Sequence, residues 1–515
     1  MNTLKRNLLI ITVLLAAVME LIDATIVNVA LSYMGGNLGA TIEDTSWVVT
    51  SYSIANVIII PMTSFLTAKF GRRNYYIASI AIFTVCSLMC GLSHDIWTLV
   101  FFRFIQGLGG GALLSVSQSV IFEQFPKEKQ ATAGAIFGVG VFLGPTIGPT
   151  LGGYIIEYFS WPWIFYVNIP VGIAAIVSCY FLLTEPAIKP EVKKIDWTGI
   201  ALLAIGIGTM QTVLERGETE DWFSTAYILW FTVISVICLT AFVIWELHIP
   251  NPVVNLSVLK SKTLSIAAVL TFITGVGLYT SIFLTPIIAQ RLLNFTPLQT
   301  GLMLLPSALL AVLALILSGR IMQKGLKPVF IVAAGYLSFI YFNWHMAHMS
   351  LDASNWFLTY TLVFRAVGMA FLAVPLTTLA VSSLEPKDIP QGAALNNMMR
   401  QLGGSFGISV FDTYVTRRAA VHRTDLVSHI TAGNTLLTQR IGDFTNYFMA
   451  KGATFFDAHA KAIGLINAQV VKQTSMLSYL DAFFLLGSLF VLTMPLLLFV
   501  RSKKKMAANV VISDH

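Results

Sequence analysis

The sequence is poor in charged residues, which make up 11% of its 515 positions, whereas hydrophobic residues make up 56%. A soluble domain carries about 25% charged residues. Soluble cores also stop growing near about 250–300 residues, so one water-soluble body could not bury this much apolar surface. The composition therefore excludes a large soluble protein.

Motifs for nucleotide binding and catalysis are also missing. The sequence has no phosphate-binding loop, no zinc-binding helix motif and no Rossmann unit, which argues against an ATP-driven pump, an enzyme or a bound cofactor. Residues 403–407 fit the nucleophile-elbow pattern, but they lie in an apolar run and favour helix packing. The four cysteines are Cys86, Cys90, Cys179 and Cys238. Cys86 and Cys90 are one helical turn apart without a nearby His or carboxylate, which favours buried hydrophobes over a metal or redox pair.

Long apolar runs are what the sequence does contain, and a membrane-spanning helix needs about 20 such residues. The first run follows Lys5 and Arg6, but it is too long for a signal peptide, holds Glu20 and Asp23 and lacks a cleavage site, so we expect a retained helix. We predict an all-α polytopic membrane protein with about 14 transmembrane helices. The runs lie near residues 8–30, 45–67, 75–93, 97–121, 131–156, 163–183, 197–214, 225–246, 264–289, 299–322, 329–347, 356–381, 393–415 and 477–500.

The positive charges predict an orientation. If both termini are cytoplasmic, 20 of the 32 lysines and arginines fall in cytoplasmic segments, and the short outer loops hold only Arg216 and Arg291. This asymmetry is the positive-inside rule, and it accounts for the net charge of +7 without a nucleic-acid partner. Seven more lie in residues 416–476, a long outer loop that is partly exempt from the rule. Its weak helical periodicity fits either an amphipathic helical hairpin or a solvated linker.

Internal similarity predicts two related halves. Residues 103–111 resemble residues 365–370, and residues 69–73 resemble residues 324–327, each pair offset by about 260 positions. Two six-helix halves with substrate bound between them describe a known transporter architecture. The predicted divisions are a six-helix bundle (1–183), a linker with two inserted helices (184–262), five helices of the second bundle (263–415), a periplasmic loop (416–476), and the last helix with a basic cytoplasmic tail (477–515).

Charged side chains inside the predicted membrane helices are functional candidates by default. Glu20 and Asp23 are three residues apart, so they share one helix face and form a coupled pair that could exchange a proton, or else a structural ion pair. Arg103 is the expected partner, although it could also reach the outer interface. Arg365 holds the equivalent position in the second half, and Asp412 lies in the thirteenth run.

Glycines in the fifth run recur at every fourth position and would form a smooth groove for a second helix. Two prolines between them favour a bend. These residues are Gly140, Gly144, Gly148 and Gly152 with Pro145 and Pro149.

These motifs resemble a known family. Residues 23–31, 103–111 and 144–153 are similar to the first-helix, helix-4 and helix-5 antiporter motifs of the fourteen-helix drug:proton antiporters of the major facilitator superfamily. Residues 221–223 and 245–252 resemble its EmrB branch. In the loop after the second run, family positions for Gly and Asp hold Ser64 and Ala68, which puts the usual charge relay in doubt.

The resemblance implies export of hydrophobic or amphipathic toxic compounds across the inner membrane, driven by the proton gradient without a cofactor. It also implies a periplasmic adaptor of the EmrA kind and an outer-membrane channel of the TolC kind, with residues 416–476 as the docking element. We expect neutral, weakly acidic or monovalent substrates rather than dications, because the second half offers only Asp412. Alternatives are a dedicated exporter of one metabolite, siderophore or antibiotic, and a membrane sensor without transport.

The candidate residues then have these roles. They are Asp23, Glu20 and Arg103 for proton coupling; Arg103, Gln106 and Gly107 in the helix-4 motif; Gly140, Gly144, Pro145, Gly148, Pro149 and Gly152 in the antiporter motif; Lys69, Gly71, Arg72 and Arg73 in a cytoplasmic gate loop; and Asn28, Arg365 and Asp412 as weaker candidates.

Overall fold

The computed structural model describes residues 3–126, 130–185, 196–249, 252, 254, 256–382, 384, 389–430 and 434–499. Within these ranges the protein has sixteen α-helices and no β-strand. The helices are α1 (Thr3–Leu38), α2 (Ile42–Phe70), α3 (Arg72–Gly91), α4 (Ile96–Glu123), α5 (Gln130–Tyr158), α6 (Trp163–Tyr166), α7 (Asn168–Leu182), α8 (Trp197–Arg216), α9 (Ala226–His248), α10 (Lys262–Ile287), α11 (Pro297–Gln323), α12 (Pro328–Met346), α13 (Asn355–Ser382), α14 (Ile389–Ser428), α15 (Thr435–Ala450) and α16 (Phe455–Thr493).

Eleven helical segments of the described chain are long and apolar enough to cross a membrane. They coincide with eleven of the predicted runs, and α2, α5 and α14 lie over the other three. The all-helical membrane fold is therefore confirmed, and the number fourteen stays a prediction. Most of the predicted linker (186–195) and the basic tail lie outside the described residues.

The helix packing repeats. In the first half α1 packs against α5, α2 against α4 and α3 against α7; in the second half α10 packs against α14, α11 against α13 and α12 against α16. Each half encloses its own apolar cores. The halves meet where α5 contacts α11 and where α2 contacts α14. Two equivalent six-helix bundles thus face each other across a central interface, where transporters of this kind bind substrate.

The inserted helices α8 and α9 pack on each other, and α8 also contacts both α2 and α14. α9 presents most of its surface outward, including Trp230, Val236 and Ile237, as a lipid-facing helix does. The insertion therefore covers one of the two seams between the bundles.

The segment predicted as a long outer loop is largely helical. α14 continues to Ser428, α15 follows, and α16 begins at Phe455. α15 packs along α16, and Arg418 on α14 donates to Asp481 on α16 at 2.5 Å (Nε to Oδ2). α14 has 40 residues and α16 has 39. Helices of that length span about 60 Å, roughly twice a bilayer core, so α14 and α16 extend beyond the membrane and form a helical hairpin with α15.

Candidate functional site

Asp23 lies in the middle of α1 with none of its surface exposed. Its Oδ2 is 2.5 Å from Nη1 of Arg103 on α4, which is also fully buried. Its Oδ1 accepts the side-chain N–H of Asn168 on α7 at 2.8 Å and that of Gln106 on α4 at 3.2 Å. Three donors from two helices thus surround this carboxylate and compensate its charge.

Arg103 is held in the protein interior and does not reach the interface. Its Nε donates to the backbone oxygen of Val48 at 3.2 Å, and Nη1 also donates to Gln106 at 3.0 Å. Its guanidinium carbon lies 4.1 Å from the centre of the Tyr52 ring, close enough for cation–π attraction. Nη2 is buried without a hydrogen-bond partner, so one donor of this cation stays available.

Glu20 has a different environment, although it is only one turn from Asp23. It is 2% exposed, and its Oε1 accepts from Asn56 at 2.9 Å and from the Tyr52 hydroxyl at 3.1 Å. Its Oε2 is buried without a partner. Among the described salt bridges none involves Glu20. The two carboxylates therefore share a helix face, but only Asp23 forms an ion pair with Arg103.

Glycines on α4 bring α2 close enough to make these contacts. A Cβ at Gly107 would lie 2.6 Å from the backbone oxygen of Tyr52, and one at Gly110 would lie 2.6 Å from the Tyr52 hydroxyl. A Cβ at Gly111 would lie 2.3 Å from Ile59. Side chains at these positions would push α2 away and separate Tyr52 and Asn56 from Glu20.

The glycine groove of α5 receives the helix that carries both carboxylates. Added Cβ atoms at Gly140, Gly144, Gly148 and Gly152 would each fall within 2.9 Å of a side chain of α1. The closest approach is at Gly148, where a Cβ would lie 2.0 Å from Oγ1 of Thr25. Pro145 and Pro149 lie inside α5 between these contacts. The antiporter motif thus forms the packing surface for α1.

The predicted gate loop is held by two acids that the sequence did not single out. Arg72 pairs with Glu123 at the end of α4. The carboxylate of Glu185 accepts the backbone N–H groups of Arg72 and Arg73, both at 3.0 Å, at the start of α3. Gly71 adopts φ 81°, and a Cβ there would lie 2.8 Å from Glu185, so glycine permits this contact. Nζ of Lys69 lies 5.1 Å from the centre of the Phe70 ring.

The weaker candidates lie apart from this cluster. Arg365 is buried in the second bundle and donates to the backbone oxygen of Ser281 at 3.3 Å, without a carboxylate partner among the described ion pairs. Asn28 and Asp412 are exposed. Within the described residues, the buried carboxylate–arginine pair therefore lies in the first bundle, and the repeated arginine of the second bundle has no carboxylate partner.

Sequence reasoning missed Asn168, Tyr52 and Asn56. Each is a neutral polar residue inside an apolar run. Asn168 links Asp23 to Ser87, whose hydroxyl it reaches at 3.0 Å. A buried amide needs hydrogen-bond partners, so the polar interruptions of the second and sixth runs were the available signal.

Comparisons with known proteins give one consistent result. The Major Facilitator Superfamily model matches residues 13–408. The fatty acid resistance protein FarB of Neisseria gonorrhoeae is 31% identical over 484 residues, which cover 94% of this chain and 93% of that protein. The multidrug export protein EmrB of Escherichia coli is 31% identical over 492 residues, covering 95% and 94%.

A solved structure shares the fold. The crystal structure of the human organic anion transporter MFSD10 (TETRAN) matches with a TM-score of 0.59, covering 96% of this chain and 99% of that one. The identity is only 13%, so this likeness concerns the fold alone.

Proposed function

The chain belongs to the major facilitator superfamily, and on that premise we propose that it is a proton-coupled exporter of hydrophobic and amphipathic toxic compounds. It is a multi-pass membrane protein. We place it in the bacterial inner membrane with both termini in the cytoplasm, as the distribution of positive charge favours. Relatives named for multidrug export and for fatty acid resistance support hydrophobic substrates.

The contrast between Asp23 and Glu20 carries this proposal. Asp23 has a cation and two amide donors, whereas Glu20 has two neutral donors and one oxygen without a partner. A buried charge without compensation costs several kcal/mol, and a bound proton removes that cost. We propose that Glu20 carries the exchanged proton in this conformation. The ion pair between Asp23 and Arg103 responds when Glu20 gains or loses that proton.

Arg103 connects the two carboxylates. Its free Nη2 gives it one unused donor, and its charge acts on Glu20 as well as on Asp23. When Glu20 loses its proton to the cytoplasm, Arg103 becomes shared between two negative groups. The ion pair between Arg103 and Asp23 then becomes weaker. The protonation state of Glu20 therefore changes the contacts that α1 makes with α4 and α7.

The α5 groove converts this change into movement. α1 rests on a surface that includes four glycines, where the two helix backbones approach closely. A helix on such a surface can shift or rotate at small steric cost. We propose that α1 moves along α5 when Glu20 changes its proton state, and that Arg72, Arg73 and Glu185 hold the cytoplasmic end of the bundle closed until then.

The proposal extends to the substrates and to the partner proteins. We propose that neutral, weakly acidic and monovalent compounds are preferred over dications. We also propose that the hairpin formed by α15 and the start of α16 docks an EmrA-like periplasmic adaptor, which leads to a TolC-like outer-membrane channel. Its exposed Phe455 and Phe456 are suited to such a contact.

The test measures proton exchange. Everted membrane vesicles containing the full chain are energised, a pH-sensitive dye reports the gradient, and a panel of hydrophobic compounds is added. We expect substrates to dissipate the gradient in wild type and to lose most of that effect in Glu20→Gln, which cannot carry the proton, and in Asp23→Asn, which cannot balance Arg103. Glu157→Gln, an exposed carboxylate on α5, is the matched control.

Two results would contradict the proposal. If both carboxylate variants respond like wild type, the proton travels through other groups. If no compound of the panel affects the gradient in wild type, export driven by protons is wrong. A response to one compound alone would favour the dedicated exporter.

A further inference from the structure

The inserted helix α8 carries a polar cluster near its C-terminal end, on the predicted outer side. Its other turns are apolar and pack in the seam between the bundles, where Leu203 and Ile207 lie in one cluster with Val57 of α2 and Leu402 of α14. An alkyl or aromatic tail that entered between α2 and α14 would meet these apolar side chains. The polar cluster lies where this apolar seam ends.

Three helices meet in the cluster. The Nε2 of Gln211 donates to Oε1 of Glu215 at 2.6 Å and to the hydroxyl of Ser405 on α14 at 2.9 Å. The hydroxyl groups of Thr50 and Ser53 on α2 also lie close enough to interact with the Glu215 carboxylate. The carboxylate of Glu215 thus lies between the two bundles and belongs to neither.

One polar atom of the cluster is unsatisfied. Gln211 is 0% exposed, and its Oε1 is buried without a hydrogen-bond partner. An acceptor buried without a partner has lost its hydration and gained no hydrogen bond in return, so it favours a donor that can reach it. Oε1 belongs to the same amide group whose nitrogen binds Glu215, so an N–H donor placed there also lies near the carboxylate.

Arg216, the next residue along the chain, acts on Glu215 through its charge but makes its described contacts with other groups. Arg216 donates from Nη1 to the hydroxyl of Ser46 at 2.6 Å and pairs through Nη2 with Glu220 at 3.2 Å. Further out, Glu218 accepts the indole N–H of Trp222 at 2.8 Å. Glu220 and Glu218 thus have partners of their own. Glu215 is the carboxylate that lies next to the unpaired Oε1 of Gln211.

We propose that Glu215 and Gln211 form a binding site for the ammonium group of a monovalent amphipathic substrate that carries at least one N–H. The carboxylate balances one positive charge, Oε1 of Gln211 accepts the N–H, and the tail lies along the apolar seam of α2, α8 and α14. This inference rests on the proposed export function and adds a headgroup preference to it. A single carboxylate also explains a preference for one charge over two.

The test compares three probes with one tail. Octyldimethylammonium has an N–H, octyltrimethylammonium has the charge without the N–H, and octanol has neither. Their dissociation constants are measured with the full chain in lipid nanodiscs, and empty nanodiscs are subtracted. Proton exchange in vesicles is measured in parallel.

Each variant should change the dissociation constants of the three probes in a different way. Glu215→Gln should raise the dissociation constants of both ammonium probes about tenfold, because both lose the attraction of the opposite charge, and should leave octanol unchanged. Gln211→Met should weaken the dimethyl probe more than the trimethyl probe, because it removes the Oε1 acceptor in addition to the N–H that holds Glu215. Glu218→Gln is the matched control, because it removes the same charge one turn further along the chain.

The outcomes separate this inference from the proposed function. Unchanged binding of the ammonium probes in Glu215→Gln overturns the site, even though wild type still exchanges protons. Equal losses for both ammonium probes in Gln211→Met overturn the role of the N–H. If wild type binds no probe and exchanges no protons, the export function fails as well.

Discussion

Asp23→Asn tests the buried ion pair with little change in shape. The Oδ1 of an asparagine can still accept from Asn168 and Gln106, which lie 2.8 and 3.2 Å from the present Oδ1. Its amide nitrogen, however, would face Nη1 of Arg103, now 2.5 Å from Oδ2. Two donors would meet, and a fully buried guanidinium would lose its counter-charge.

The expected cost is large. Removing one partner of a buried pair destabilises a protein by about 3–5 kcal/mol. We expect this loss for Asp23→Asn and for Arg103→Gln. The double variant leaves two neutral amides that can bond to each other, so it should cost less than the sum of the single changes by about 3 kcal/mol.

The assay is a double-mutant cycle on the free energy of unfolding in mixed micelles. A second cycle on Arg418 and Asp481 is the control, because that pair has the same 2.5 Å separation but is 36% and 31% exposed. A pair of that exposure contributes about 0.2–1 kcal/mol. If the two cycles give equal coupling, burial is not what strengthens the Asp23 pair, and the reasoning fails.

Two further changes test the packing and the gate. Gly148→Ala should reduce transport at least tenfold, because the new Cβ would lie 2.0 Å from Oγ1 of Thr25 on α1. Gly442→Ala is the control, since a Cβ there would have no atom within 4 Å. Equal transport in the two variants would refute a close contact between α1 and α5. Glu185→Gln should speed hydrogen exchange in the first turn of α3, since a neutral amide stabilises a helix N-terminus by about 0.3–1 kcal/mol less than a carboxylate does. Unchanged exchange there would exclude Glu185 as the cap.

The sequence was most informative where the membrane restricts the choices. Charged residues inside apolar helices need partners, and this predicted that Arg103 would meet Asp23. The four-residue spacing of glycines predicted a groove, because one turn separates its members. The matching arginines at 103 and 365 predicted the repeated halves, and the helix packing repeats accordingly.

Other features depend on contacts that a single sequence does not display. Glu185 lies in the predicted linker, and only the fold brings it to the start of α3. Glu215 follows directly after the predicted run 197–214, so the pattern placed it in a loop, whereas the structure has it in the last turn of α8. Neutral residues such as Asn56 have no charge to signal burial, and their role depends on which carboxylate they face.

The unbroken helix α16 has a mechanical consequence. From Asp481 to Phe455 it rises about 40 Å without a break, so it acts as a rigid lever fixed in the second bundle. A tilt of that bundle by about 10° during transport would swing the hairpin tip by about 7 Å. A protein bound at the tip would then be displaced by that distance in each transport cycle. One helix would in this way transmit the conformation of the membrane domain to a partner outside the membrane.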